Sequence, residues 1–219
     1  MTETEQVKTD FLSSWQLQDY LSFGYLYLLI VGVVSDSIYY GMLGINIISY
    51  STILDVLLSP IVRLTDSLIF PFVIIILPVL MYFYVKLILR LQEKGRDRAI
   101  AAGKDLSTKP HTLQKIRLQT LVLIATCFGI FCSFMGYGFG GGQKQSARIE
   151  AGELRIEHQI QFQDGTSHRV MMLGNNSEYV FYVFKGDHTV SVSPIKDSIL
   201  TIRELSDAER EAMKSLAED

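Results

Sequence analysis

Cysteine and tryptophan are scarce in this chain, with two and one, respectively, among 219 residues. Two cysteines exclude a disulfide scaffold and a cysteine-rich zinc site. No Gly-x-Ser-x-Gly, His-Glu-x-x-His or Walker loop occurs, so hydrolase, zincin and P-loop chemistry lack their usual carriers. A formal net charge of −3 gives no nucleic-acid footprint. Charge is also missing locally. Asp36 is the only charged residue between Tyr20 and Leu54, and Leu118–Tyr137 has none.

What is there is apolar and unevenly spread. The chain is 48% hydrophobic, with a mean hydropathy of +0.24. The apolar residues concentrate between Tyr20 and Gly142, while charges crowd the segment after Arg90 and the C-terminal third. That segregation argues against disorder and against one soluble globule. It reads as a membrane half, 20–142, joined to a small soluble half, after a polar N-terminal segment 1–19.

Three stretches supply the roughly 20 apolar residues that a helix needs to cross a bilayer. They are placed at about 20–36, 67–88 and 118–138. The second has Lys86 as its only charge and Asp66 or Ser67 to cap it. Its Pro71 and Pro78 mark either a hinge or the ordinary tolerance of membrane helices for proline. The third carries small residues, Ala125, Cys127, Gly129, Cys132 and Ser133, that let a neighbouring helix approach. Its two thiols point to different sides of the helix and read as packing residues. The first stretch has three readings: a span ending near Asp36 with an interfacial segment after it, two tight spans turning at Asp36, or one long helix with Asp36 inside the bilayer. The first is preferred, because Ser35-Asp36-Ser37 makes a polar stop and Tyr39 and Tyr40 suit the interface. A short amphipathic helix is expected over about 51–62, capped by Ser51, ended by Pro60 and broken on its apolar face by Asp55.

The loop 89–117 carries Arg90, Lys94, Arg96, Arg98, Lys104, Lys109, Lys115 and Arg117, whereas Ser35–Asp66 carries only Arg63. By the positive-inside rule the basic loop is cytoplasmic, so everything after the last span lies outside the cytoplasm. Binding of anionic lipid is a secondary meaning of those charges. Acidic residues around Lys8 and the lack of a small-residue cleavage site argue against a cleaved signal peptide. A bacterial inner membrane is the expected location.

Gly136–Ser146 reads as a flexible linker or a close-packed helix end, not as a phosphate loop. After it the period becomes two. Leu154, Ile156, His158, Ile160 and Phe162 alternate with polar residues over Glu153–Gln163. Return strands are expected over His168–Leu173, Glu178–Phe184, His188–Pro194 and Ser198–Arg203, with turns at Asp164-Gly165, Gly174-Asn175-Asn176 and Lys185-Gly186-Asp187. Ser206 and Glu209 form a capping box that opens a helix over 206–219. Asn175-Asn176-Ser177 fits the glycosylation pattern, which matters only in a eukaryotic secretory pathway.

The fold expected is therefore an α+β membrane protein. Three transmembrane helices and a short interfacial helix precede a small extracytoplasmic domain, 143–205, and a short C-terminal helix. That domain is a five-stranded antiparallel sheet or a barrel of SH3-like size.

Candidate functional residues are few. His158 sits on the apolar face of its strand; with His168 and His188 it makes either a metal site or a core histidine satisfied by backbone beside two exposed ones. His111 belongs to the basic loop. Asp36, Asp55 and Asp66 either gather to bind a cation or relay protons, or mark interfacial helix ends. Tyr179, Phe181, Tyr182 and Phe184 lie on a strand apolar on both faces, which suggests a partner surface. The expected function is non-enzymatic: a membrane-anchored β-domain that binds a protein or envelope partner, or self-associates. Membrane lipid is an expected partner; a cofactor and nucleic acid are not. The alternatives are an oligomeric channel or transporter subunit built on Asp36 and the Pro71/Pro78 helix, and an effector gated by a ligand at the β-domain.

Overall fold

The computed structural model describes residues 16–66, 69–101 and 118–210. Ser67, the 102–117 part of the basic loop with His111, segment 1–15 and the part of the expected C-terminal helix beyond 210 lie outside the described residues. Four helices, α1 (Leu17–Met42), α2 (Ile53–Asp66), α3 (Ile69–Ala101) and α4 (Leu118–Glu150), precede five strands. These are β1 (His158–Phe162), β2 (Ser167–Asn175), β3 (Tyr179–Phe184), β4 (Ser191–Pro194) and β5 (Ile199–Glu204). A 3-10 turn, Ile47–Tyr50, joins α1 to α2.

Three helices are long and apolar enough to cross a membrane: Leu17–Met42, Pro71–Gly95 and Thr120–Glu150. Phe72, Ile75 and Phe83 of α3 and Phe128 of α4 are each more than 60% exposed. Apolar surface on that scale is stable against lipid or another apolar partner, not against water. At about 1.5 Å per residue, α3 and α4, of 33 residues each, are about 50 Å long. They exceed a hydrocarbon core of about 30 Å. Accordingly α3 runs past the expected end of its span and carries Arg90, Lys94 and Arg98 on its last turns. The Leu, Gln, Glu, Lys and Arg residues there are good helix formers.

The chain divides into two compact units, Met1–Tyr27 with Val62–Ser133, and Leu28–Ile61 with Phe134–Asp219. Within the first, the Tyr27 hydroxyl donates to the Cys127 carbonyl at 2.6 Å. Gly129 admits the Leu77 side chain so closely that a Cβ there would stand 2.9 Å from it.

In the second unit α1 meets both α2 and α4 at glycine. Pro60 lies inside α2 rather than ending it. It has no N–H to offer the Val56 carbonyl four residues back, and that oxygen abuts Gly32 of α1, where a Cβ would overlap it. On the α4 side, a Cβ at Gly138 would come within 2.7 Å of the Ser35 carbonyl, and one at Gly142 within 2.8 Å of the Tyr39 carbonyl. The glycine-rich stretch is thus a helix packed hard on α1 through a small-xxx-small face, not a linker.

The expected stop at Ser35-Asp36-Ser37 does not form. Ser35 donates to the Phe134 carbonyl at 3.2 Å, and Ser59 donates to Asp36 at 2.8 Å. Both polar side chains are satisfied by neighbouring helices, so α1 continues. It ends where Gly44 takes φ +76: Ile45 N–H reaches the Tyr40 carbonyl and Gly44 N–H that of Gly41. Gly152, at φ +72, ends α4 in the same way.

The sheet is antiparallel and open, in the order β4-β3-β2-β1-β5. One face carries Ile160, Val170, Val180, Tyr182 and Ile199, with Phe162, Met172, Phe184 and Ile195 around them. The other packs on helical ends. Phe181 is buried against Ile45 and Ile47 with Tyr40 and Tyr50 alongside. Met171 and Val183 join Ile149, with Leu154 and Ile156 alongside. The strand expected from Glu153 therefore begins only at His158: Leu154 and Ile156 serve the helix-facing cluster while Ile160 and Phe162 serve the other. The turn expected at Gly174-Asn175-Asn176 also moves. A register shift between Met172 and Gly174 keeps Gly174 and Asn175 paired with Phe181 and Val180.

Gly138→Ala should lower stability by roughly 1–3 kcal/mol, the usual cost of overpacking. A Cβ at Gly140 meets nothing within 4 Å, so Gly140→Ala should be neutral or gain up to about 1 kcal/mol from helix propensity. Reversible unfolding of the detergent-solubilised protein distinguishes the two variants.

Candidate functional site

A densely connected polar group of the second unit lies at the start of α2. The Thr52 hydroxyl accepts from Asp55 N–H at 3.2 Å. The Asp55 carboxylate reaches back to Thr52 N–H at 2.9 Å and its hydroxyl at 2.7 Å. This is a reciprocal capping box, with Thr52 rather than Ser51 as the cap. The same carboxylate accepts from Ser177 N–H at 3.1 Å and from its hydroxyl at 3.0 Å. One side chain thus starts the helix and holds the β2–β3 turn.

Asn176 works beside it in the opposite sense. Its Oδ1 accepts from the N–H groups of Glu178 and Tyr179 at 3.0 and 2.7 Å and so shapes the turn. Its amide nitrogen donates to the Tyr50 carbonyl at 2.8 Å. Aromatic rings line the junction. Tyr40 and Phe181 have centroids 4.9 Å apart, and Tyr50 and Tyr179 5.3 Å.

Burial pushes the Asp55 carboxyl up, but the hydrogen bonds from Thr52 and then Ser177 outweigh it and hold it below its ordinary value. The expected Ser206–Glu209 capping box is present, with Ser206 N–H 2.9 Å from the Glu209 carboxylate. Ser206 N–H, the Arg203 guanidinium and the Ser206 hydroxyl hold Glu209 down to about 2.

The remaining sequence candidates do not assemble. Asp36 is buried and bonded to Ser59, Asp55 belongs to the latch that its bonds to Ser177 make between α2 and the β2–β3 turn, and the side chain of Asp66 is outside the described residues. Among the described residues no three His, Cys, Asp or Glu side chains converge on a metal position. The histidine roles are redistributed. His188 is the one bonded to backbone, with Nδ1 2.8 Å from the Ile149 carbonyl. His158 has a buried Nδ1 without a partner among the described residues. His168 packs edge-on to Phe162 and Phe184.

The expected partner surface on β3 is corrected outright at two positions. Phe181 is 0% and Tyr182 2% exposed, while Tyr179 and Phe184 are half-buried. The strand is apolar on both sides because one side meets the helical ends and the other the sheet's own core. The latch itself was missed. Thr52 with Asp55 three residues on is a legible box, but its link to Ser177 spans more than a hundred positions.

No protein-family model, no curated protein and no solved structure matches the chain.

Asp55→Ala should cost roughly 1–2 kcal/mol for the lost reciprocal half of the capping box and its bonds to Ser177. A double-mutant cycle with Ser177→Ala should show a coupling of at least about 0.5 kcal/mol. Because the folded carboxyl is depressed, its contribution is complete above the unfolded value of about 3.9 and fades as pH falls through the folded one. The stability gap between wild type and Asp55→Ala, measured by unfolding at several pH values, should narrow only in that acid window.

Proposed function

We propose that this is a non-enzymatic integral membrane protein that holds a small β-domain in a fixed attitude outside the cytoplasm, where its free surface binds a protein or envelope partner. The observation that carries this reading is the fastening of one sheet face to the ends of α1, α2 and α4. Aromatic contacts and two side-chain latches are spent on attachment. With Phe181 and Tyr182 committed to that attachment and to the core, the surface offered is the remainder of the sheet and its edge strands. The bias of Lys and Arg over the end of α3 and the segment after it supports the orientation.

A reporter active only outside the cytoplasm, fused after Asp219, should give full activity, and a reporter fluorescent only inside should be dark. The reverse pattern overturns the reading and favours a sensor of cytosolic ligands.

A second reading rests on Asp36, a buried carboxylate within a helix of membrane length. In it the protein is an oligomeric channel or transporter subunit. Ion flux through the protein in liposomes, altered by Asp36→Asn, supports it; no flux from the purified oligomer removes it.

A further inference from the structure

The strand register lays a row of long polar side chains across four neighbouring strands. Lys185 N–H bonds the Arg169 carbonyl across β3 and β2. Arg169 stands opposite Gln159, and Gln159 opposite Arg203. Alternation puts all four on the face opposite Val170 and Phe184, which belong to the sheet's own core. The row continues the face that, further along, packs on the helical ends.

Half of this row is internally satisfied. Arg203 donates to Gln159 Oε1 and to Glu209, each at 2.8 Å, and Gln159 Nε2 donates to the Ser167 hydroxyl at 2.6 Å. The Arg169 guanidinium and the Lys185 ammonium have no partner among the described residues. Like charges directly opposite one another on neighbouring strands are destabilising. Three acidic groups of the neighbouring turns and helix start are engaged elsewhere. Glu209 holds Arg203, Asp164 caps its own turn through Thr166 and lies near His168, and Asp187 accepts from His188 N–H and Thr189.

The two cations line an open groove of about 440 Å³ with Gln159 and Ser167 of the same face, and it reaches the strand ends at His168 and Phe184, whose side chains belong to the other face. Its donors are of three kinds. Arg169 offers a planar fork suited to two oxygens of one anion. Lys185 offers a movable point charge. Ser167, which accepts from Gln159, keeps its own proton to donate. Three separate donors suit a tetrahedral oxyanion better than a carboxylate, which has only two oxygens.

We propose that this groove is a binding site for a phosphate group, seated between Arg169 and Lys185 with Ser167 as the third donor. The phosphate belongs either to a soluble phosphate compound or to an anionic lipid headgroup. The inference does not depend on which side of the membrane the sheet occupies, nor on the reading of the protein as a partner-binding anchor.

The test uses the full chain in non-ionic detergent at low ionic strength. Isothermal titration with inorganic phosphate and with sn-glycerol 3-phosphate forms one arm, and with dioctanoyl phosphatidylglycerol against dioctanoyl phosphatidylcholine the other. Saturable binding in either arm is expected, and the stronger arm names the source. Arg169→Gln and Lys185→Gln should each weaken it by roughly tenfold, while Lys196→Gln, a charge-matched change on an exposed loop, should leave it intact. Both groove variants relieve a like-charge pair, so they should melt no lower than wild type without ligand. The winning ligand should raise the melting temperature of wild type but not of the variants. No saturable binding in either arm, equal binding to acetate, or equal affinity in Arg169→Gln and Lys196→Gln overturns the site.

Discussion

Phe181 is wholly buried where the sheet meets the helical ends, with Ile45, Ile47, Tyr40 and Tyr50 around it, and the second unit is organised about that contact. Fully burying one such side chain is worth up to about 3 kcal/mol. It also imposes conditions further back in the chain. Tyr40 reaches Phe181 only because α1 continues past Asp36, and Ile45 turns in only because Gly44 closes the helix in a left-handed conformation. The hydroxyl of Tyr40 sits over Gly174, where a Cβ would collide with it. The bulge in β2 and the length of α1 are therefore two sides of one packing constraint.

The helices behind this contact are held by backbone proximity rather than by large side chains. Gly32, Gly138 and Gly142 let α1 approach its neighbours until the nearest atoms are carbonyl oxygens of Val56, Ser35 and Tyr39. Where lipid surrounds helices of this length there is little hydrophobic force between them, and close packing and interhelical hydrogen bonds would carry their association. Ser35 to Phe134 and Ser59 to Asp36 supply such bonds. Pro60 fits the same scheme, since the carbonyl it leaves without an intrahelical partner is the one that Gly32 approaches. A polar triplet, a proline and a glycine-rich run, each of which reads in isolation as an interruption, are here the means of holding three helix segments together.

That difference explains what was legible in the sequence. The three apolar stretches, the period-two segments, the turns at Asp164-Gly165 and Lys185-Gly186 and the box at Ser206 and Glu209 depend on residues close in the chain and could be read, but the first strand was expected from Glu153 and the fourth from His188, where the structure starts them at His158 and Ser191. The ends of α1, α2 and α4 depend on partners far away. Asp36 looks like a stop until Ser59 is beside it, and Pro60 looks like one until Gly32 meets Val56. Gly44 and Gly152 were the available local signals, glycines just past apolar helices, and they marked the true ends. For β3, apolar on both faces, sequence alone could not distinguish an external partner from a second internal layer. For the latch, Thr52 and Asp55 are visible as a pair, but nothing near them points to Ser177.

The attachment of the sheet also bears on what kind of device the protein is. A domain tethered by a glycine-rich linker samples many orientations, and binding to it does little to the anchor. Here the glycines are helical, α4 runs to Glu150, and Leu154 and Ile156 of the following segment pack into the cluster of Ile149, Met171 and Val183. The segment between α4 and β1 is packed against the sheet through Leu154 and Ile156. The uncovered, cation-bearing part of the same sheet face is thus continuous, through β2 and β3, with the part seated on α1 and α4. On the proposed reading this distinguishes a fixed platform from a flexible lure: its orientation is set by the helices, and a ligand neutralising Arg169 and Lys185 would relieve repulsion within the strands that carry the attachment.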